Sequence, residues 1–164
     1  MISKFKLVFC IITDNIGDAI FFKLLLTINI DGASRGNPGP SGIGVVIIKN
    51  NLIITEYNEF IGEKTNNQAE YAALKKALQI ASIFDDEITV LSDSKLVVSQ
   101  RNNRYRLRNK QLKIIFREIS NLEKQFRAVN YKCIPRAKNQ YADFLANRAI
   151  DEHLYNDINN KSMQ

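Results

Sequence analysis

Four carboxylates in this chain fall where chemistry could be done with them. Asp31 ends the alternating stretch Ile28-Asn29-Ile30 and opens a run that holds three glycines and two prolines up to Pro40. Asp93 follows a short apolar run in LSDS, Glu70 lies in NNQAEYAAL, and Asp143 lies in KNQYADFLAN. The first pair sits at the ends of strand-like segments, the second in the first turn of helix-like ones. Each acid has apolar neighbours, which predicts partial burial. Carboxylates gathered in that way repel one another unless cations neutralise them. An all-oxygen donor set suits Mg²⁺ or Mn²⁺, which take a few carboxylates and keep waters for a substrate. Taken singly, each acid also has a local reading. Asn67 and Glu70 stand at nearly the spacing of a capping box, Asp143 favours a helix N-terminus through the macrodipole, and Asp93-Ser94 suits the cap of a short helix. Those local readings leave unexplained why all four acids fall near one end of a single sheet.

The elements that must position them can be read from periodicity. Residues 24–31, 42–48 and 52–60 alternate as strands, the last two joined by the turn Lys49-Asn50-Asn51. Over 67–81 the period changes: Leu74, Ala77, Leu78 and Ala81 recur at helical spacing. A short strand at 88–91 follows the acidic turn Asp85-Asp86-Glu87, and a short helix follows at 94–100. A longer helix carries Leu112, Ile115, Phe116, Ile119 and Leu122 on one face. The last strand spans 128–134. The last helix spans 139–150, with Ala142, Leu145, Ala146 and Ala149 inward. Residues 151–164 are polar and are expected to fray. The order β-β-β-α-β-α-α-β-α predicts an α/β chain: a five-stranded mixed sheet flanked by helices, three antiparallel strands followed by two parallel additions through crossovers. In such sheets ligands gather at the carboxyl ends of strands, which is where Asp31 and Asp93 fall.

Composition narrows the classes. With 164 residues, 45% hydrophobic and 24% charged, the chain suits one domain with a proper core. The net charge of +6 and pI near 9.3 invite an anionic partner. Cys10 and Cys133 form no CxxC pair and no zinc spacing, which reads as reduced thiols in the cytoplasm. Near the N-terminus, two apolar bursts at 7–12 and 19–26 are broken by Thr13, Asp14, Asn15, Gly17 and Asp18. Neither reaches the roughly 18 residues of a membrane span, and no convincing small-x-small cleavage site follows. The division expected is an N-terminal extension of unknown role at 1–26, a catalytic domain at 27–151, and a polar tail at 152–164. A monomer with no obligate protein partner and no membrane contact is expected.

DGASRGNPGPSGIG, TNNQAEYAAL, LSDSKLVV and IPRAKNQYADFLAN resemble, in order, the four acidic motifs of type 1 ribonuclease H. The resemblance spans about 28–150 and implies the ribonuclease H-like fold. It further implies hydrolysis of the RNA strand of RNA–DNA hybrids with two Mg²⁺ (or Mn²⁺) ions per site, giving 5′-phosphate and 3′-hydroxyl products. Matched motif by motif, the catalytic and metal-holding acids are Asp31, Glu70, Asp93 and Asp143. Asp31 would bridge the ions, Glu70 and Asp93 would hold one each, and Asp143 would complete the second site. The backbone of Gly32, Ala33 and Ser34, with the Glu70 carboxylate, would read the 2′-hydroxyl that distinguishes RNA from DNA. Glycine-rich chain there would let a phosphodiester approach. Asn37, Asn66, Asn67 and Gln68 would meet the minor groove of the hybrid, and Thr65 with Asn109 would hold a DNA-strand phosphate.

The chain also departs from the family pattern. Glu63 stands where some members place an Arg of the phosphate pocket, leaving Lys64 as a substitute. Many members carry a His in the loop before the last acid, whereas the lone His here, His153, lies ten residues beyond Asp143. The loop Pro135-Arg136-Ala137-Lys138-Asn139 matches the branch with Arg in that place, so Arg136, and more weakly Lys138, takes the role. The separate basic protrusion is missing. In its place RNNRYRLRNK begins a basic strip of Arg101, Arg104, Arg106, Arg108, Lys110, Lys113 and Arg117 with Tyr105 interleaved, read as a phosphate-tracking surface or a solvated helix face. The main alternative is a non-catalytic nucleic-acid-binding domain on the same fold.

Overall fold

The computed structural model describes residues 26–102 and 110–162. Most of the expected N-terminal extension, the segment 103–109 and the last two residues lie outside the described residues. Strand alternation sets the centre of the sheet. In β1 (Leu26–Ser34), Leu26, Ile28 and Ile30 are fully buried on one face, while Thr27 and Asn29 are half-buried on the other. β2 (Gly39–Lys49) returns antiparallel, with Asp31 opposite Gly44. Asn50 and Asn51 then turn the chain with φ of 54° and 62°, a left-handed conformation that Asn tolerates. This leads into β3 (Leu52–Lys64). β4 (Glu87–Ser92) and β5 (Ala128–Cys133) add in parallel, as expected, and the strand order is β3-β2-β1-β4-β5.

Helices cover both faces. α1 (Asn66–Ala81) and α3 (Lys110–Glu123) pack on the Leu26–Ile28–Ile30 face through Tyr71, Leu74, Ala77, Leu78, Leu112 and Ile119. α4 (Gln140–Ser162) covers the other face, setting Ala142 and Leu145 against Val46. α2 (Lys95–Arg101) is short and follows β4 directly. Among the described residues, no helix is long and apolar enough to cross a membrane.

Two segments differ from expectation. The glycine- and proline-rich stretch after Asp31 is mostly sheet rather than loop. β1 and β2 pair out to Ser34 and Ser41, and Arg35 N–H closes the hairpin on Pro40 O at 2.8 Å. The Ser34 hydroxyl supports that closure, lying within donating distance of Gly36 O (2.6 Å) and of Lys64 O (2.8 Å). The polar segment expected to fray is helical through Ser162. It contains no Gly or Pro, Arg148–Glu152 and His153–Asp157 pair at i,i+4, and His153 stacks on Phe60 of β3. The two halves of α4 are nonetheless bound unequally. Leu145, Ala146 and Ile150 are fully buried, whereas Leu154, Tyr155 and Ile158 are exposed. Burial of a Leu or Ile contributes about 1.5–3 kcal/mol, against about 0.2–0.5 kcal/mol for each i,i+4 pair.

Gly44 allows α4 to lie as close as it does. A Cβ there would stand 2.1 Å from Ala142 O and 2.8 Å from Ala146 N, so helix backbone occupies the space a side chain would need. Because Gly44 is the β2 partner of Asp31, this contact also sets how near α4 comes to that acid. Gly44→Ala is expected to destabilise the chain by about 2–3 kcal/mol, read as a fall in the thermal midpoint. An unchanged midpoint would mean that α4 is not seated on this glycine.

Candidate active site

Register brings the first two acids together. The last β1–β4 pair is Asn29 with Leu91, so Asp31 and Asp93 each lie two residues further on, at the same end of adjacent parallel strands. Their carboxyls come within hydrogen-bonding reach of each other. Glu70 arrives from α1. The helix is pressed so closely on β1 that a Cβ on Gly32 would stand 2.2 Å from Glu70 N. Gly32 therefore has a packing reason to be glycine, distinct from the substrate-approach reason expected from its sequence context. Asp143 comes from the first turn of α4, as its motif predicts. Asp31 and Glu70 are each 6% exposed, and Asp93 and Asp143 are half-buried.

Glu70 has no part in starting α1. The capping box is Thr65 with Gln68: the Thr65 hydroxyl accepts from Gln68 N–H, and Gln68 Oε1 accepts from Thr65 N–H at 2.8 Å. Glu70 is the fifth helical residue, one position past the first turn where its sequence context put it. One carboxyl oxygen, Glu70 Oε2, is buried with no hydrogen-bond partner among the described residues. An orphaned buried acceptor is expensive, and a cation would satisfy it.

The electrostatics point the same way. Burial, then the Asp93 and Asp143 charges, push the Asp31 carboxyl up to about 7. Burial, then Asp31 and Asp93, push Glu70 up to about 9. Arg136 opposes both shifts; it donates to Asp143 Oδ1 at 2.7 Å from a side chain that is 77% exposed. Among the described residues no three His, Cys, Asp or Glu side chains stand close enough to ligate one ion as they are. The acids form an open rim of hard oxygen donors, the donor chemistry of Mg²⁺ or Mn²⁺.

The other expected residues divide by what already occupies them. Thr65 and Gln68 are engaged in the α1 cap, and Asn37 Oδ1 accepts from Asn66 N–H at 3.2 Å. The side chains of Asn66 and Asn67 are exposed, Ala33 is half-buried in β1, and Lys138 is exposed at the end of a single helical turn, Arg136–Lys138. Asn109, Arg104, Tyr105, Arg106 and Arg108 lie outside the described residues. In the basic strip, Lys113 and Arg117 are exposed on α3. Arg101 does not belong to it. Its side chain is 5% exposed, ion-paired with Glu123 and stacked over Phe116, tying α2 to α3. Two residues escape notice in the sequence. Asn139, 1% exposed, donates from Nδ2 to Ile30 O (2.9 Å) and to Asp93 Oδ1 (2.8 Å), and its Oδ1 accepts from Asn29 Nδ2 (3.2 Å). In the sequence Asn139 looks like a helix cap. The one available signal for Asn29 is a polar residue between two isoleucines.

A family model described as reverse transcriptase-like matches residues 29–149. The chain is 43% identical over 129 residues to a bifunctional protein of Mycobacterium tuberculosis, covering 77% of this chain and 35% of that protein. It is 40% identical over 124 residues to the ribonuclease HI of Halobacterium salinarum, covering 74% of this chain and 62% of that one. This chain thus spans about a third of the mycobacterial relative and under two thirds of the archaeal one. Among solved structures, a ribonuclease H1 in complex with an RNA/DNA hybrid superposes with a TM-score of 0.76 at 40% identity, covering 79% of this chain and 99% of that one.

The raised carboxyls make stability depend on pH. Above about pH 4.5 the unfolded chain releases protons that folded Asp31 and Glu70 retain, so the folded state is progressively disfavoured as pH rises through 7 towards 9. In chelator, the thermal midpoint is expected to fall between about pH 5 and about pH 9, and Glu70→Gln is expected to flatten the upper part of that fall. A midpoint that rises with pH in the native chain, or the same slope in the variant, would contradict this electrostatic picture.

Proposed function

The chain belongs to the type 1 ribonuclease H family, and from that premise we propose that it hydrolyses the RNA strand of RNA–DNA hybrids with a pair of divalent cations, Mg²⁺ or Mn²⁺, leaving 5′-phosphate and 3′-hydroxyl ends. The observation that carries the reading is the meeting of Asp31, Glu70, Asp93 and Asp143 at one sheet end, where their repulsion calls for cations. Asp31 would bridge the pair, Glu70 and Asp93 would hold one ion each, and Asp143 would complete the second site. When bound, the cations supply an activated water and neutralise charge developing on the departing 3′ oxygen.

The remaining roles fall to the protein. Arg136, exposed on its loop and paired with Asp143, exchanges between that carboxylate and a phosphate oxygen, with Lys138 beside it adding positive charge. The backbone from Gly32 to Ser34 and the Glu70 carboxylate read the 2′-hydroxyl. The α1 N-terminus, held by the Thr65–Gln68 cap and joined to Asn37, offers a DNA-strand phosphate the amide dipoles of a helix start, and by the family resemblance Thr65 and Asn109 would hold that phosphate. Asn66 and Asn67 meet the minor groove. Lys113 and Arg117 attract the phosphate backbone, so hybrid affinity falls as salt rises. The catalytic unit is residues 27–151, acting as a monomer without an obligate protein partner. The exposed free thiol of Cys133 fits the reducing cytoplasm.

Purified chain given labelled hybrid is expected to cut the RNA strand only with Mg²⁺ or Mn²⁺ present, and to leave duplex DNA intact. Asp31→Asn should lower that cleavage by at least about 100-fold; retained activity would mean the site lies elsewhere. Hybrid that is bound but never cut would favour the non-catalytic binding domain. Arg136→Ala is expected to slow turnover by roughly one to two orders of magnitude without weakening cation binding. Unaltered turnover would remove Arg136 from the mechanism.

A further inference from the structure

Asn139 stands where its backbone begins α4, since its carbonyl accepts from Asp143 N–H at 3.1 Å. An Asn in that place ordinarily turns its side-chain oxygen back to cap the helix. Here the side chain points into the sheet end instead. Its Nδ2 faces two acceptors, Ile30 O and Asp93 Oδ1, so only the donor end of the amide fits on that side. Ile30 lies one residue beyond the last β1–β4 pair, where the two strands part. The Oδ1 end is then left needing a donor in a buried place, and Asn29 Nδ2 supplies it.

We propose that Asn29 and Asn139 are positioning residues acting as one relay: Asn29 fixes which way the Asn139 amide faces, and Asn139 thereby holds Asp93 beside Asp31 and pins the Arg136 loop to β1. The proposal rests on the catalytic reading above and adds to it two residues that touch neither substrate nor reacting atoms. A neutral donor suits this place. Lys or Arg facing Asp93 would compete with a cation, whereas an amide orients the carboxylate and leaves its charge intact. Without Asn29, the Asn139 oxygen loses its donor, and a flipped amide would set that oxygen against Asp93 and Ile30 O.

The test measures Mn²⁺ binding by calorimetry, and hybrid cleavage at varied Mg²⁺, on the full chain carrying Asn29→Leu, Asn29→Ser, Asn139→Ala, or Asn29→Leu with Asn139→Ala. Thermal unfolding checks that each variant folds. Asn29→Leu is expected to weaken Mn²⁺ binding and lower kcat by about 10-fold or more, the size typical of a lost partner of a metal ligand, with KM for hybrid within about twofold. Asn29→Ser, which keeps a shorter donor, should recover part of both. The double variant should be no worse than Asn139→Ala alone, because the two residues act as one unit. A folded Asn29→Leu chain with unchanged Mn²⁺ affinity and kcat, or one that loses hybrid KM instead, overturns the relay. So do additive losses in the double variant. If the parent chain binds Mn²⁺ but cuts no hybrid, the catalytic reading fails while the calorimetry still decides the relay. A parent chain that binds no cation overturns both.

Discussion

Mutual repulsion among Asp31, Glu70, Asp93 and Asp143 is the interaction the rest of the structure must hold in check. Two of these acids are almost wholly buried, and burial alone raises both carboxyls before their neighbours add to the effect. A sheet with free ends would relieve that repulsion by letting the side chains drift apart. Here the strand ends are fixed by register and by helices packed on both faces, so the acids stay close enough to raise one another's carboxyls. The outlets for that repulsion are protons, the Arg136 guanidinium, or cations. Such a site is less stable than the fold could be without it, as expected where function and stability conflict.

Close approach is what the small residues contribute. Gly32 lets α1 bring Glu70 against β1, and Gly44, opposite Asp31, lets α4 bring Asp143 from the other face. Both glycines serve helix backbone that would collide with any side chain. Asn139 works differently. It fills the wedge where β1 and β4 separate with a short amide that bonds Asn29 and Ile30 of β1 and Asp93 just past β4.

Much of this was legible in the sequence, because its signals were periodic. The alternation around Ile28 and Ile30, the helical stripe of Leu74, Ala77, Leu78 and Ala81, and the order of elements fixed the sheet and its flanking helices. The acids could be seen at strand ends and helix starts. Contacts that depend on distance in three dimensions could not. Arg101 reads as one more basic surface residue, yet it is buried against Glu123 and Phe116. Thr65 and Gln68 read as substrate contacts, and nothing in the sequence shows that their side chains also close a capping box. The polar composition of residues 151–162 hid a helix supported by i,i+4 pairs and one stacked ring. The glycine-rich run after Asp31 suggested bare backbone for a ligand, and its packing against α1 appears only once the helix is in place.

The most direct measurement is the number of protons displaced when Mg²⁺ binds, obtained by titration calorimetry in two buffers of different ionisation heat. With Glu70 pushed up to about 9 and Asp31 to about 7, release of about one proton per chain is expected near pH 7.5. Binding with no proton displaced would contradict this, because Glu70 and Asp31 would then already be ionised at that pH.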